Sequence, residues 1–235
     1  MTMPLDQYDF SIDVYHGTST LFLKSILDFG LGGINVIEKW KVLDFANFIY
    51  SLCEKKISDT QLFERSGFSF KSMCEQKNEG MNFQHGDVYV SGNIDVAVRY
   101  TVPKRFGSEL LSYALEFLSE MYYRDIDLKE VYDFNPHLFN LMKTIHSPLI
   151  VKIPNVHITD LSNDKGELMT DVLTKLNHGL KSKGINFTTQ SIKKFAKTCQ
   201  CRLLKVIPPN RLDFYLPIND KEDISNPYLQ KIDLV

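Results

Sequence analysis

From Phe10 to His16 apolar and polar positions alternate, the period-two pattern of a half-buried strand, which is expected to end at His16-Gly17-Thr18. Ser19 or Thr20 can then cap a helix whose apolar positions Phe22, Leu23, Ile26 and Phe29 recur every three or four residues, and Gly30 suits the left-handed position that closes it. Residues 36–79 read as mainly helical, with Trp40, Leu43, Phe45, Phe48, Ile49 and Leu52 as a buried stripe and a loop around Ser66-Gly67. A short strand is expected over Asp87-Val88-Tyr89-Val90. The turn Ser91-Gly92-Asn93 follows, then a helix from Ile94 to about Tyr100 that carries an Asp95/Arg99 pair four residues apart. Residues 108–145 are again helix-rich. Pro148 introduces the apolar run Leu149 to Ile153, a buried strand bounded by Pro154. A helix is expected over Leu168–Leu180 and a strand over Arg202–Ile207, stopped by Pro208-Pro209.

No repeat, low-complexity stretch or linker interrupts this succession, so the 235 residues read as one α+β domain with helical insertions at about 36–79 and 108–145. The opening MTMPLDQYDF lacks the basic cluster of a signal or transit peptide, and charges break every apolar run before membrane-spanning length, which points to a soluble, cytoplasmic chain. Cys53, Cys74, Cys199 and Cys201 have no zinc-like spacing with one another or with histidine, so reduced thiols and no metal are expected, with Cys199 and Cys201 on one face of a strand.

Three segments in order carry chemistry. Val14-Tyr15-His16-Gly17-Thr18-Ser19 is followed by a helix ending in Gly30-Leu31. Gly86-Asp87-Val88-Tyr89-Val90-Ser91 then precedes Ala97-Val98-Arg99-Tyr100, with Tyr89 and Tyr100 eleven residues apart. The set resembles the ADP-ribosyltransferase superfamily, and within it the His-Tyr-Glu branch that contains the poly(ADP-ribose) polymerases. Motif-level similarity spans 14–31 and 86–100, and segment order extends it over roughly 10–215.

The resemblance implies a split, mixed β-sheet and a site that breaks the nicotinamide–ribose bond of NAD, its substrate, without metal. His16 would bond a ribose hydroxyl, Gly17 would hold the nicotinamide end through its backbone donor and acceptor, with Thr18 beside it in the NAD-binding set, and Tyr89 and Tyr100 would stack on the ring. Two positions depart from the pattern. Ala97 stands where the branch commonly has a serine that anchors the amide. Registering the last strand places Gln200 at or within two residues of the branch's glutamate, and an amide can bond a hydroxyl but cannot act as a general base. Glu109 and Glu167 are other sources of a carboxylate. Transfer of a single ADP-ribose follows as the expected activity, with His16, Tyr89 and Gln200 as the catalytic set.

Two other readings stay open. RNA 2'-phosphotransferases share the Tyr-His-Gly-Thr-Ser-like start and use NAD, but they carry a winged-helix lobe and phosphate-binding basic residues, whereas fifteen residues precede His16 here. A non-catalytic domain binding NAD-like ligands or a protein partner is the second, and Gln200 favours it.

Charge bears on the acceptor. The total is 27 − 29 = −2, yet residues 181–211 hold Lys181, Lys183, Lys193, Lys194, Lys197, Arg202, Lys205 and Arg211 with no acid, leaving 19 − 29 = −10 for the rest. A uniformly basic binder is excluded, whereas a local basic segment suits a nucleic-acid backbone, with Phe187 and Phe195 available to stack on bases. A macromolecular acceptor is therefore expected, nucleic acid ahead of protein. Compactness resembles toxins of the toxin–antitoxin or phage-defence kind, for which an antitoxin or inhibitor protein would be the partner.

Overall fold

The computed structural model describes residues 9–76, 85–104, 106–185, 188–218 and 228–232. In chain order the elements are β1 (Ser11–Ser19), α1 (Leu23–Phe29), α2 (Val36–Lys39), α3 (Val42–Lys56), α4 (Gln61–Glu75), β2 (Tyr89–Ser91), α5 (Ile94–Thr101), α6 (Glu109–Tyr123), α7 (Lys129–Phe134), α8 (Pro136–Leu141), β3 (Pro148–His157), β4 (Leu161–Ser162), α9 (Met169–Lys181), α10 (Thr189–Thr198), β5 (Gln200–Leu203), β6 (Asp213–Ile218) and β7 (Tyr228–Ile232). The seven strands form one sheet in the order β4-β5-β2-β1-β3-β6-β7, so the fold is α+β.

The sheet is not mixed as expected: among the described residues every pairing of named strands is antiparallel. Alternation reports which residues share a face and says nothing of strand direction, which depends on where each helical insertion returns the chain. The ladders are unequal. β1 pairs with β3 from Ser11 opposite His157 to Ser19 opposite Pro148, whereas β1 and β2 meet at one register pair, Tyr15 opposite Ser91. The sheet is thus two sub-sheets, β4-β5-β2 and β1-β3-β6-β7, joined at a narrow seam.

The helical insertions converge on one another, with α3 and α4 both packed on α6. Their contact is aromatic: Phe45, Phe70 and Phe117 are fully buried, and the Phe70 and Phe117 rings stack with centroids 5.2 Å apart. Of the expected stripe, Phe45 and Ile49 reach full burial, while Trp40, Leu43, Phe48 and Leu52 pack at its margin.

Several expected boundaries move. Ser66-Gly67 lies inside α4 and is buried rather than looped; a Cβ on Gly67 would come 3.2 Å from the Phe63 ring, so the small residue makes room for an aromatic neighbour. Residues 77–79 of the first insertion lie outside the described residues. Pro154 does not end β3, because the β1–β3 register shifts between Ile12/Val156 and Val14/Ile153, and this bulge absorbs Pro154 and the left-handed Asn155 (φ 53°). β5 covers Gln200–Leu203 instead of 202–207; Ile207 instead bridges to Leu31, beside Gly30, whose φ of 82° closes α1 as expected. All four cysteines are free. Cys201 is a buried strand residue, but Cys199 caps the end of α10 and is not in a strand.

Thr60 begins α4: its Oγ1 accepts from the Phe63 N–H at 3.2 Å and donates to the Ile57 carbonyl at 2.8 Å, and the residue is buried. Thr60→Ala is expected to cost about 1–2 kcal/mol, read as a lower urea midpoint with unchanged m-value. A loss below about 0.3 kcal/mol would mean that water replaces the cap.

Candidate functional site

The seam opens into a cleft of about 770 Å³, inside the range of small-molecule sites. Its lining includes His16, Gly17, Thr18, Tyr89, Tyr100 and Gln200, so the expected catalytic and NAD-binding residues reach one concave surface.

β1 supplies His16, Gly17 and Thr18 from the rim where it parts from β2. There the imidazole bridges the two sub-sheets, His16 Nδ1 lying 2.8 Å from the Tyr89 carbonyl oxygen. A carbonyl can only accept, so Nδ1 carries the proton in the neutral ring and Nε2 is left as an acceptor. Burial lowers the His16 pKa below the usual histidine value, and the bond to Tyr89 offsets this only in part.

The sign of the linkage follows. An unfolded chain takes up the proton at the ordinary histidine value of about 6.5 while the folded site resists it. The stabilisation is whole above that value and declines as pH falls toward the depressed one. Between pH 7 and 5 the wild type is expected to lose more in Tm than His16→Gln; parallel slopes would show that His16 titrates normally.

Gly17 admits α5. A Cβ at this position would lie 2.4 Å from the Ala97 carbonyl oxygen and 3.2 Å from Thr101 Cβ. One turn along, the Thr101 hydroxyl donates to the Thr18 carbonyl, tying α5 to β1. Thr18 is itself buried, which leaves it a backbone role. Ala97 is a buried packing residue.

The Ser91-Gly92-Asn93 turn fixes Tyr89 relative to Tyr100. Asn93 donates its N–H to Ser91 Oγ at 3.2 Å and accepts from the Asp95 N–H at 3.0 Å, capping α5. Arg99 donates from Nε to the Asp95 backbone carbonyl at 3.2 Å and lines the cleft. Gly92 lets the end of α10 approach, since a Cβ there would meet Lys197 Cα at 2.5 Å. That approach delivers β5 to β2, with Gln200 opposite Ser91 and Arg202 opposite Tyr89.

The Tyr89 hydroxyl is buried and has no hydrogen-bond partner among the described residues. Burial raises its pKa and Asp87 adds to this, with Arg202 opposing. Arg202 Nη2 lies 2.8 Å from Asp87 Oδ2, close enough for an ion pair, although the angle satisfies neither as a directed hydrogen bond, and Arg202 Nε is buried without a partner. Tyr100 is 39% exposed, with Lys104 Nζ 4.4 Å from its ring centroid. Its hydroxyl end is the crowded one: burial, then the Glu109 carboxylate, pushes the phenol up to about 12.

No family model, curated protein or solved structure matches this chain. The site is therefore read from its own geometry.

The two acids considered as substitutes for a glutamate separate. Glu109 lines the cleft, ion-paired with Lys104 at 2.7 Å, whereas Glu167 is held by Lys175 and by Asn163 Nδ2 (2.8 Å) and is not among the cleft residues. His85 also lines the cleft, with Nε2 3.0 Å from the Met73 carbonyl oxygen. Asp87, Arg99 and Asp164 also line it; sequence reading gave the first and third no role, because neither sits at a diagnostic spacing. Among the described residues no cluster of three or more His, Cys, Asp and Glu is placed to hold a metal, and no helix is long and apolar enough to cross a membrane.

The basic tract is less uniform in space than in sequence. Arg202 pairs with Asp87 and Lys205 with Asp160, two acids from outside it. Lys193, Lys194 and Lys197 are exposed on α10, which carries no acid, and Lys193 lies 5.3 Å from the Phe10 ring. Phe195 is 36% exposed; Phe187 lies outside the described residues.

Proposed function

We propose that the chain is an NAD-dependent mono-ADP-ribosyltransferase of the His-Tyr-Glu type that modifies a macromolecule, nucleic acid ahead of protein. The observation that carries the reading is the convergence of His16, Gly17, Tyr89, Tyr100 and Gln200 on one cleft at the seam, with His16 anchored across it.

The cleft has features that a nicotinamide nucleotide would use. The orphaned Tyr89 hydroxyl lacks a partner that a bound polar group can supply, because a buried polar atom left unpaired costs about 1–3 kcal/mol. NAD brings a nicotinamide leaving group whose departure develops positive charge on the ribose. His16 Nε2 accepts from a ribose hydroxyl and so orients the sugar. Tyr89 and Tyr100 flank the ring and exclude water, and the Gly17 backbone meets the carboxamide. Gln200 bonds a second ribose hydroxyl.

The acceptor reading rests on α10, whose exposed lysines lead along the chain directly to Gln200 in the cleft. A toxin or phage-defence effector held by an acidic antitoxin or inhibitor fits this charge distribution. The test is labelled NAD with cell extract, scored for nicotinamide release and then treated separately with RNase, DNase and protease. The treatment that frees the label names the acceptor, and no turnover with any extract sinks the transferase reading. NAD binding without turnover would favour the non-catalytic domain, which Gln200 supports.

A further inference from the structure

NAD carries a doubly anionic pyrophosphate, and a cleft that receives it needs a cation aimed at that group. Among the described residues Arg99 is the one lysine or arginine that lines the cleft. We propose that Arg99 holds the pyrophosphate, an assignment that rests on the reading of NAD as substrate.

The surroundings of the side chain carry the assignment. Its sequence position predicts a pair with the Asp95 carboxylate one turn earlier, but the guanidinium donates from Nε to the Asp95 backbone carbonyl at 3.2 Å and makes no ion pair with an acid of the described residues. Among these residues its charge is uncompensated, and the two terminal nitrogens keep the N–H groups that match a pair of phosphate oxygens. The neighbouring cations are occupied. Lys104 Nζ lies 2.7 Å from Glu109 Oε1, Arg202 Nη2 lies 2.8 Å from Asp87 Oδ2, and neither residue lines the cleft; nor do the exposed lysines of α10. The same two pairs take up Asp87 and Glu109, so these cleft acids do not compete for Arg99. Asp164, the third acid of the lining, acts on β2 and β5, where it raises the Tyr89 phenol and the Cys201 thiol.

The helix beneath Arg99 is fixed at both ends. Asn93 Oδ1 accepts from the Asp95 N–H at 3.0 Å, and the Thr101 hydroxyl donates to the Thr18 carbonyl. The guanidinium therefore projects from a rigid base, which reduces the entropy lost on binding. Tyr100, the next residue, and Gly17, against whose backbone α5 packs, line the same cleft. In NAD one ribose separates the nicotinamide ring from the pyrophosphate. A clamp on α5 beside Tyr100 holds that ribose between two fixed points, the ring at the tyrosines and the phosphates at Arg99. Arg99 does not touch the bond that breaks, so its part is binding and orientation.

The test measures Kd on the full chain by equilibrium dialysis with NAD, with ADP-ribose, which keeps the pyrophosphate without nicotinamide, and with nicotinamide riboside, which keeps the ring and its ribose without phosphate. Arg99→Gln is expected to weaken NAD and ADP-ribose by at least about tenfold, the loss of a charge-assisted contact, and to leave nicotinamide riboside within about twofold. Arg99→Lys, which keeps the charge without the planar fork, falls between wild type and Arg99→Gln for NAD. Added salt weakens NAD binding more steeply in the wild type than in Arg99→Gln. An Arg99→Gln chain that binds NAD as the wild type does, that loses all three probes alike, or that loses affinity only for an RNA or DNA acceptor overturns the assignment and leaves the transferase reading standing. A wild-type chain that neither binds NAD nor releases nicotinamide overturns both.

Discussion

His16→Ala is expected to lower NAD-dependent labelling of the acceptor by roughly 10³-fold, the size of effect seen when one preorganised hydrogen-bonding group is removed from a polar site. Two things are lost at once. On the proposed reading Nε2 would no longer hold the ribose, and the bond from Nδ1 to the Tyr89 carbonyl, which spans the seam, is gone. The second loss is small in stability, about 0.5–1.5 kcal/mol, so the far-UV spectrum and a cooperative melt are retained. Tyr89→Ala acts from the other wall and is expected to abolish labelling as well. Full activity in both variants would refute the site assignment, whereas loss of the folded spectrum would show that the seam needs His16 to form.

Gly17→Val has the largest structural effect. Even a single carbon at this position lies 2.4 Å from the Ala97 carbonyl oxygen, and the atom in the way is backbone that no rotamer change can remove. α5 must move off β1, straining the bond from the Thr101 hydroxyl to the Thr18 carbonyl and shifting Tyr100 out of register with Tyr89. A loss of about 1–3 kcal/mol is expected from overpacking alone, measured by urea unfolding, with Gly17→Ala at the lower end of that range. NAD affinity should fall in parallel, because the residue that sets helix packing also lines the cleft. Unchanged stability in Gly17→Val would mean that α5 slides without cost.

Much of this organisation could be read from residue order. The strand around His16, the helix closed by Gly30, the strand and turn through Asn93 and both helical insertions fall where alternation and three-to-four periodicity put them. What failed was punctuation. Ser66-Gly67 and Pro154 look like breaks, yet the first pair is accommodated by the Phe63 ring one turn earlier and the proline by a bulge in β3 itself, opposite a strand about 140 residues away. The second answer depends on a neighbour distant in sequence. The sequence pointed to His16, Tyr89 and Tyr100 because they are distinctive types at fixed spacing, and the fold brings the three to one cleft. Asp164, which also lines the cleft, gave no such signal, because an aspartate in a polar turn has no local signature. The basic tract misled in the opposite sense, since Asp87 and Asp160, which partner Arg202 and Lys205, lie 115 and 45 residues upstream of them.

The single rung between β1 and β2 has a thermodynamic corollary. Any small molecule gripped at once by Gly17 on one side and Tyr89 on the other occupies the place where further rungs of a continuous sheet would stand. Occupancy then cross-links the two halves of the β-structure. Each tenfold excess of such a molecule above its Kd adds about 1.4 kcal/mol to the free energy of unfolding. A ligand seated there would stand in for the missing rungs and tie the unfolding of the two sub-sheets together.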